Sequence, residues 1–549
     1  MLKRTAPMGQ AFIVGTLLLG GPLSATAQNE GSLRPRKPLA SPSLLLQRGG
    51  EQRLTVKFKD DLKARSRVDG AIASKMGTLM PFVAQLRSKY NLQFRPLIDL
   101  PEERLSDLEA RAAQRSRRMQ PDLAGMMIVD VPHATEDLLV RVGEELQALD
   151  TVEYTYIETL QQPPPGDIPP TTPDLTGFQT YFDPDPGLNV DYAWAYGYDG
   201  GGVRLSDCEY GWVYSHEDLV DKNLHPEPGQ TPHPDVETNG WDEHGTAVMG
   251  ELCGVVNAYG VSGMVPDAAI YTYPEWTVEG GSRRATCIAN AIADSAVGDI
   301  VLLEMQSGYA PAETDPNVHS VVSAGVDAGV VVVSAAGNGG HDLDGVDYET
   351  YMSWGDSGAI MVGGGTPNVD HDQHPNSCYG SRVNVQGWYG SVFTLGYGNY
   401  AEYGGDKNQR YRTGFSGTSG ASPFVASACV IVQDKAQAYG RRLTPWEMRY
   451  LLIETGIPQG TGGHVGPFPD LEAALNLTDE LARGTWVDFY YSGVENGTFE
   501  EPYDTLAEGV SAAMTGGYVH VKAGTSSETI TITKDVIIMS WGGTATVGQ

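Results

Sequence analysis

Along residues 53–59, RLTVKFK, apolar side chains fall on every second position, the pattern of a half-buried strand. LMPFVAQLRSKYNLQF (79–94) then reads as a helix and its exit, GMMIVDVP (125–132) as a strand, DLLVRVGEELQALD (137–150) as a helix and VEYTYIE (152–158) as a closing strand. Strands and helices mixed in this order predict a small antiparallel sheet backed by two helices. The proline-rich stretch QQPPPGDIPPTTPD (161–174) follows and marks a boundary, since such a segment is extended and open to proteases.

The pattern changes beyond it. GVRLSD, DAAIYTY, DIVLLEM, VVVVSAA and AIMVGGG are short apolar runs separated by helical stretches such as RRATCIANAIADSA (283–296). That alternation predicts an α/β unit, a parallel sheet with helices on both faces, whose site lies at the carboxyl ends of the strands. After residue 483 the texture becomes short alternating strands broken by Gly and Asn, with a single helix-like stretch. We expect a small all-β module over 484–549.

Composition adds three constraints. At 549 residues the chain needs more than one core. Residues 1–27 carry Lys3 and Arg4, an apolar run at 11–20 too short to span a bilayer, and Ala25-Thr26-Ala27 before the expected cleavage, which together read as a secretory signal peptide. No later run approaches membrane-spanning length, so a secreted protein, extracellular or periplasmic, without stable membrane insertion is expected. From residue 166 onward 15 Lys and Arg face 50 Asp and Glu, a net charge of −35. A surface so acidic excludes general nucleic-acid binding and disfavours anionic membrane. Five cysteines leave at least one thiol unpaired within a monomer; export permits disulfides, but spacing does not give their connectivity.

Chemistry concentrates in four places. His244 precedes a Gly-Thr step at a helix start, Asn338 sits in a Gly-Asn-Gly loop after a buried strand, and Ser419 lies in a Gly-rich turn with Pro423 expected in the first turn of the helix that follows. A serine hydroxyl needs an imidazole to take its proton, and the imidazole needs a carboxylate to set its tautomer. VRLSDCEYGWVYSH (203–216) offers two, Asp207 and Glu209, on one side of a strand about 6.6 Å apart. Developing charge on an attacked carbonyl needs fixed donors, which Asn338 and the backbone at Ser419 supply.

These residues resemble the subtilisin-like serine peptidases, the subtilase family. The resemblance rests on His244 in HGTAVMG, Asn338 in SAAGNGG and Ser419 in GTSGASP, with support from GVSGMVPDAAIY, VLLEMQSGY, LTPWEMRYLL and GPFPDLEAAL, and covers roughly residues 185–478. It implies a subtilisin-like peptidase domain over 166–483 and peptide-bond hydrolysis of polypeptides with no cofactor in the chemistry. Structural calcium is often found in this family. The run DLDGVD, with Asp342, Asp344 and Asp347, is nonetheless read as a solvated loop. In the family pattern the acid is Asp, followed by Gly and, a few residues on, His-x-x-Leu; Gly211 and HEDL (216–219) fall where that pattern wants them, which places Glu209 at the acid position. Glu209 is also nearer the strand end, so Asp207 becomes a nearby carboxylate of unknown role and His216 a structural histidine.

The resemblance further implies that residues 28–165 are a propeptide that assists folding and plugs the cleft as an intramolecular inhibitor until cut away, with maturation at about 160–180. The tail resembles the first coils of a right-handed β-helix. One coil cannot bury its own face, so the tail must pack on the peptidase, pair with something or be removed. Two other readings stay open: a catalytically weak protease-fold binding protein, suggested by Glu in place of Asp, and an adhesion protein whose tail carries the function.

Overall fold

The computed structural model describes residues 33–40, 52–78, 80–159, 172–222 and 224–548. The expected signal peptide and the stretch 160–171 lie outside them.

In the N-terminal unit, strands β1 (Gln52–Phe58), β2 (Gln93–Pro96), β3 (Met126–Asp130) and β4 (Val152–Thr159) form one antiparallel sheet in the order β2-β3-β1-β4. Alternation along β1 turns Leu54, Val56 and Phe58 to one face, where Val83 of helix α1 (Pro81–Tyr90) and Leu139, Val142 and Leu146 of α3 (Glu136–Gln147) cover them. A further helix, α2 (Glu102–Ser116), was not expected from the sequence. Only Leu105, Leu108 and Ala112 of its 15 residues are buried, so its apolar stripe is narrow within a charged run. It packs away from α1 and α3, in a core shared with the next unit.

The central unit carries β5 (Arg204–Glu209), β6 (His225–Pro226), β7 (Ala269–Pro274), β8 (Ile300–Leu303), β9 (Val331–Ala335), β10 (Ile360–Gly365) and β11 (Val385–Trp388). They form a sheet in the order β11-β10-β9-β8-β5-β7-β6, and every pairing is parallel. On one face Leu205, Ile300, Leu302, Val331 and Val333 pack under α4 (Asp242–Cys253) and α7 (Thr418–Gln437). On the other, Val301, Leu303 and Val332 meet α5 (Arg284–Asp294) and α6 (Pro316–Asp327), and this core runs on into Leu105 and Leu108 of α2 and Met126 and Ile128 of β3. The N-terminal sheet is thereby seated on α5 and α6. Polar positions of β1 and β4 are used there too: Asn317 Nδ2 donates to Thr55 Oγ1 (2.9 Å) and Tyr154 Oη donates to Asn317 Oδ1 (3.1 Å).

After α8 (Pro445–Thr455) and α9 (Leu471–Ala482), the tail pairs β12 (Thr485–Val487), β13 (Gly517–Ser526) and β14 (Val536–Val547) in parallel, with α10 (Leu506–Ala512) closing a small core over Val487, Val519 and Val521. The module is therefore not purely β. It packs on the central unit through aromatic rings: Trp446 of α8 stacks on Phe499 at 3.4 Å, and the buried Trp486 sits 5.2 Å from Trp541 and donates through Nε1 to Glu447 Oε1 (2.8 Å). All five cysteines are buried and none is paired.

Candidate active site

Glu209 is the last residue of β5, at the carboxyl end of the central sheet. His244 lies in the first turn of α4, and its Nδ1 is hydrogen-bonded to Glu209 Oε1. Helix α4 reaches the strand this closely because residue 245 has no side chain: a Cβ there would stand 2.4 Å from the Gly211 carbonyl oxygen and 2.8 Å from the Trp212 ring. Thr246 Oγ1 accepts the Val213 N–H (2.8 Å), which ties the exit of β5 to the same helix.

Asp207 shares the face but does not reach the histidine. Its Oδ2 accepts from Trp212 Nε1 (2.9 Å) while Oδ1 is buried without a partner. Burial, and then the neighbouring Glu209 carboxylate, hold Asp207 well above the usual carboxylate range.

Ser419 is the second residue of α7, which starts at Thr418. The helix thus begins a turn earlier than expected, and Pro423 lies inside it rather than in the first turn. The proline has no N–H to give the Ser419 carbonyl, so the backbone at the serine is left free of its usual helical partner. Gly417, at φ 98°, makes the left-handed entry, and a Cβ there would come 3.1 Å from the Asn338 amide. Asn338 accepts the Thr418 N–H at Oδ1 (2.8 Å), and its own N–H donates to Gln306 Oε1 (3.1 Å). With Oδ1 engaged, Nδ2 is the end left to donate beside Ser419. Among the described residues it meets no acceptor.

The link from Ser419 Oγ to His244 Nε2 is not closed by a hydrogen bond. Such bonds are commonly loose in a free enzyme and tighten around substrate. Phe415 stands edge-on to the imidazole at 5.5 Å, a wall for the site.

The remaining acids and histidines have other occupations. His216 accepts the Asp218 N–H at Nδ1 (3.2 Å), its Nε2 meets the Arg410 carbonyl at 2.9 Å, and burial lowers it to about 4; it is a neutral structural residue, as expected. Asp342 accepts the Asp344 N–H (3.0 Å) and Asp344 accepts the Ser381 N–H (2.8 Å). Among the described residues, the one group of acids placed to share a cation is Glu495, Asp504 and Glu508 in the tail, all at least partly exposed. Sequence reasoning missed Gln306, which positions Asn338, and Glu304 beside the serine. A Glu in the apolar run VLLEM was the available signal.

A seven-stranded parallel sheet with acid, histidine and serine at its carboxyl edge defines a hydrolase of the serine-peptidase class. Residues 188–483 match the subtilase family, and the chain belongs to it. It is 28% identical over 292 residues to an intracellular serine protease of Paenibacillus polymyxa, covering 52% of this chain and 82% of that protein. It is 29% identical over 246 residues to subtilisin E of Bacillus subtilis, covering 44% of this chain and 57% of that protein. The chain therefore spans little more than half the length of the subtilisin it matches. Fervidolysin from Fervidobacterium pennivorans has the same fold, at a TM-score of 0.50 and 16% identity over 82% of this chain and 65% of its own. Among the described residues no helix is long and apolar enough to cross a membrane.

Proposed function

We propose that this chain is a secreted serine endopeptidase, made with an inhibitory N-terminal propeptide, that cleaves polypeptides through an acyl-enzyme. Ser419 Oγ bonds to the peptide carbonyl carbon while its proton passes to His244 Nε2. Glu209 on Nδ1 keeps the other nitrogen free to accept and balances the imidazolium that forms. The oxyanion is held by Asn338 Nδ2 and the Ser419 N–H. The C–N bond then breaks as His244 returns the proton to the leaving amine, and water repeats the sequence on the ester to free the acid and Ser419. Every proton moves between groups of this chain, substrate and water, so the chemistry calls on no cofactor.

The observation that carries this reading is the Glu209–His244 contact at the sheet edge, with Asn338 tied to the first residue of the serine helix. The propeptide reading draws support from the apolar seat of the N-terminal sheet on α5 and α6 and from Asn317, gripped by Thr55 and Tyr154. Leu175 N–H already donates to the Gly260 carbonyl (2.8 Å), so residue 175 is anchored in the peptidase unit and cleavage belongs upstream, near 160–171. Secretion rests on the leader pattern of residues 1–27. The open Ser419–His244 link favours one rival, a protease-fold binding protein of weak turnover. Fluorophosphonate labelling read by mass spectrometry separates the two: Ser419 should label in the wild type and in Asp207→Ala but not in Glu209→Ala. A folded wild type that stays unlabelled after losing its N-terminal unit supports the binding protein instead.

A further inference from the structure

Glu304 follows β8 directly, one step beyond the Leu303–Cys208 pairing, which sets it alongside Glu209 on the neighbouring strand. Side chains of laterally paired residues in a parallel sheet share a face, and alternation puts Glu304 with Ile300 and Leu302, which pack under the two helices carrying His244 and Ser419. Glu304 is only 5% exposed, and both its carboxyl oxygens are buried without a hydrogen-bond partner. An ionised group left so would be costly, whereas a neutral acid is tolerated. The Ser419 hydroxyl is close enough to act on the carboxyl, although no well-formed hydrogen bond joins them. Two residues on, Gln306 holds the Asn338 backbone, so the segment 304–306 touches both the nucleophile and the oxyanion donor.

The groups acting on Glu304 are the carboxyls of Glu209 and Asp207 from β5 and of Glu251 from α4, with the Ser419 hydroxyl from α7; β9 brings no titratable side chain. Glu251 is fully buried with both oxygens unpartnered as well. The charges acting most strongly on Glu304 are all negative, those of Glu209, Asp207 and Glu251, and they add to burial in holding it well above the usual carboxylate range. Among the described residues, these carboxylates do not form a group of three with ligand atoms gathered for a cation.

We propose that Glu304 is a positioning residue for the nucleophile: as the neutral acid it leaves the Ser419 hydroxyl hydrogen to His244, and as the carboxylate it takes that hydrogen bond for itself. This rests on the catalytic reading above and extends it. The ionised form also puts a negative charge beside the place where the oxyanion develops, so it opposes the same step twice. The sign follows directly. Activity is full while Glu304 is neutral and is lost as pH rises through its titration, giving an alkaline limit.

The test measures kcat and KM on a peptide substrate, and the rate of fluorophosphonate labelling at Ser419, from about pH 5 to about pH 11 in the wild type, Glu304→Gln and Glu304→Ala. The wild-type kcat and labelling rate should fall roughly tenfold per pH unit beyond the titration, with KM little changed. Glu304→Gln should keep a neutral-pH rate within about threefold of wild type and lose the alkaline limb. The difference between infrared spectra of wild type and Glu304→Gln should show a protonated-carboxyl band that disappears over the same pH range in which the labelling rate falls. Labelling profiles that superimpose in wild type and both variants overturn this inference alone. A wild type that never labels at Ser419 sinks the catalytic reading and this inference with it. Where Glu304→Gln fails to fold, Glu304→Ala takes its place: a labelling profile that keeps the wild-type alkaline limb overturns the proposal.

Discussion

Two carboxylates two residues apart on one strand face end in different roles because only one stands at the edge. Glu209 meets His244 Nδ1, while Asp207, one step deeper, is bonded to Trp212 and buried. Glu209→Gln keeps the shape but can no longer favour the productive tautomer, so kcat/KM should drop by about four orders of magnitude. Asp207→Asn should change it by less than about tenfold, because a group held largely neutral loses little on becoming an amide. Steady-state kinetics on one peptide substrate compares both. Asn338→Ala removes one of the two oxyanion donors proposed above and should lower kcat by roughly a hundred- to a thousandfold, a magnitude established for subtilisin, with KM nearly unchanged. These residues were legible in the sequence because each sits in a motif that the chemistry requires. Glu304 and Gln306 were not, because nothing in VLLEMQSGY says which side chains face a helix start on another part of the chain.

At the scale of elements, the site depends on how closely α4 and α7 approach the sheet edge. Gly245→Ala would drive a methyl group against the Gly211 carbonyl, a backbone atom that cannot swing aside. The helix must back away, and thermal unfolding should show a loss of about 1–3 kcal/mol together with a fall in kcat as His244 leaves Glu209. In α7 the buried run through Phe424, Val425 and Ile431 has no polar face, the mark of a helix at the centre of a domain rather than at its surface. The tail belongs to this scale too. Beside the small core under α10, it gains a second buried side where Trp486, Phe499 and Trp541 close on Trp446 and Tyr450 of α8. Trp486→Ala should cost about 3–5 kcal/mol and expose the tail to limited proteolysis while leaving Glu209, His244 and Ser419 in place.

Over the whole molecule, acid dominates. The peptidase and tail carry the charge of −35 from residue 166 onward, and several acids are buried with raised affinity for protons. Asp218 is lifted to about 7 by burial, against the Val261 N–H and Tyr411 hydroxyl that favour its charge, and burial also lifts Glu109 to about 7. Because these folded values lie above the unfolded ones, the stability they confer is complete below about pH 4 and is lost as pH rises through about 7. Asp60, drawn down to about 2 beside Lys57 and Arg36 despite its burial, works the other way, and its contribution vanishes only on strong acidification. The melting temperature should therefore fall between about pH 4 and pH 7, and Asp218→Asn should flatten that slope by up to about 1.4 kcal/mol per pH unit. Calorimetry across that range checks it; parallel slopes in wild type and variant would reject the assignment to Asp218.

The alternating strands, the switch from an antiparallel to a parallel pattern, and the serine, histidine and asparagine motifs all follow from local order along the chain, where period and spacing carry the information. So did the place of Glu209, through Gly211 and the segment HEDL. Helix α2 escaped notice because its three buried apolar residues acquire meaning only once α5 and α6 lie beneath them. The tail's seat on α8, the two separate fates of Asp207 and Glu209, and the meeting of Glu304 with Ser419 depend on neighbours supplied by residues distant in the chain. Burial and partner decide what a carboxyl group does, and both are set only when the strands are laid side by side.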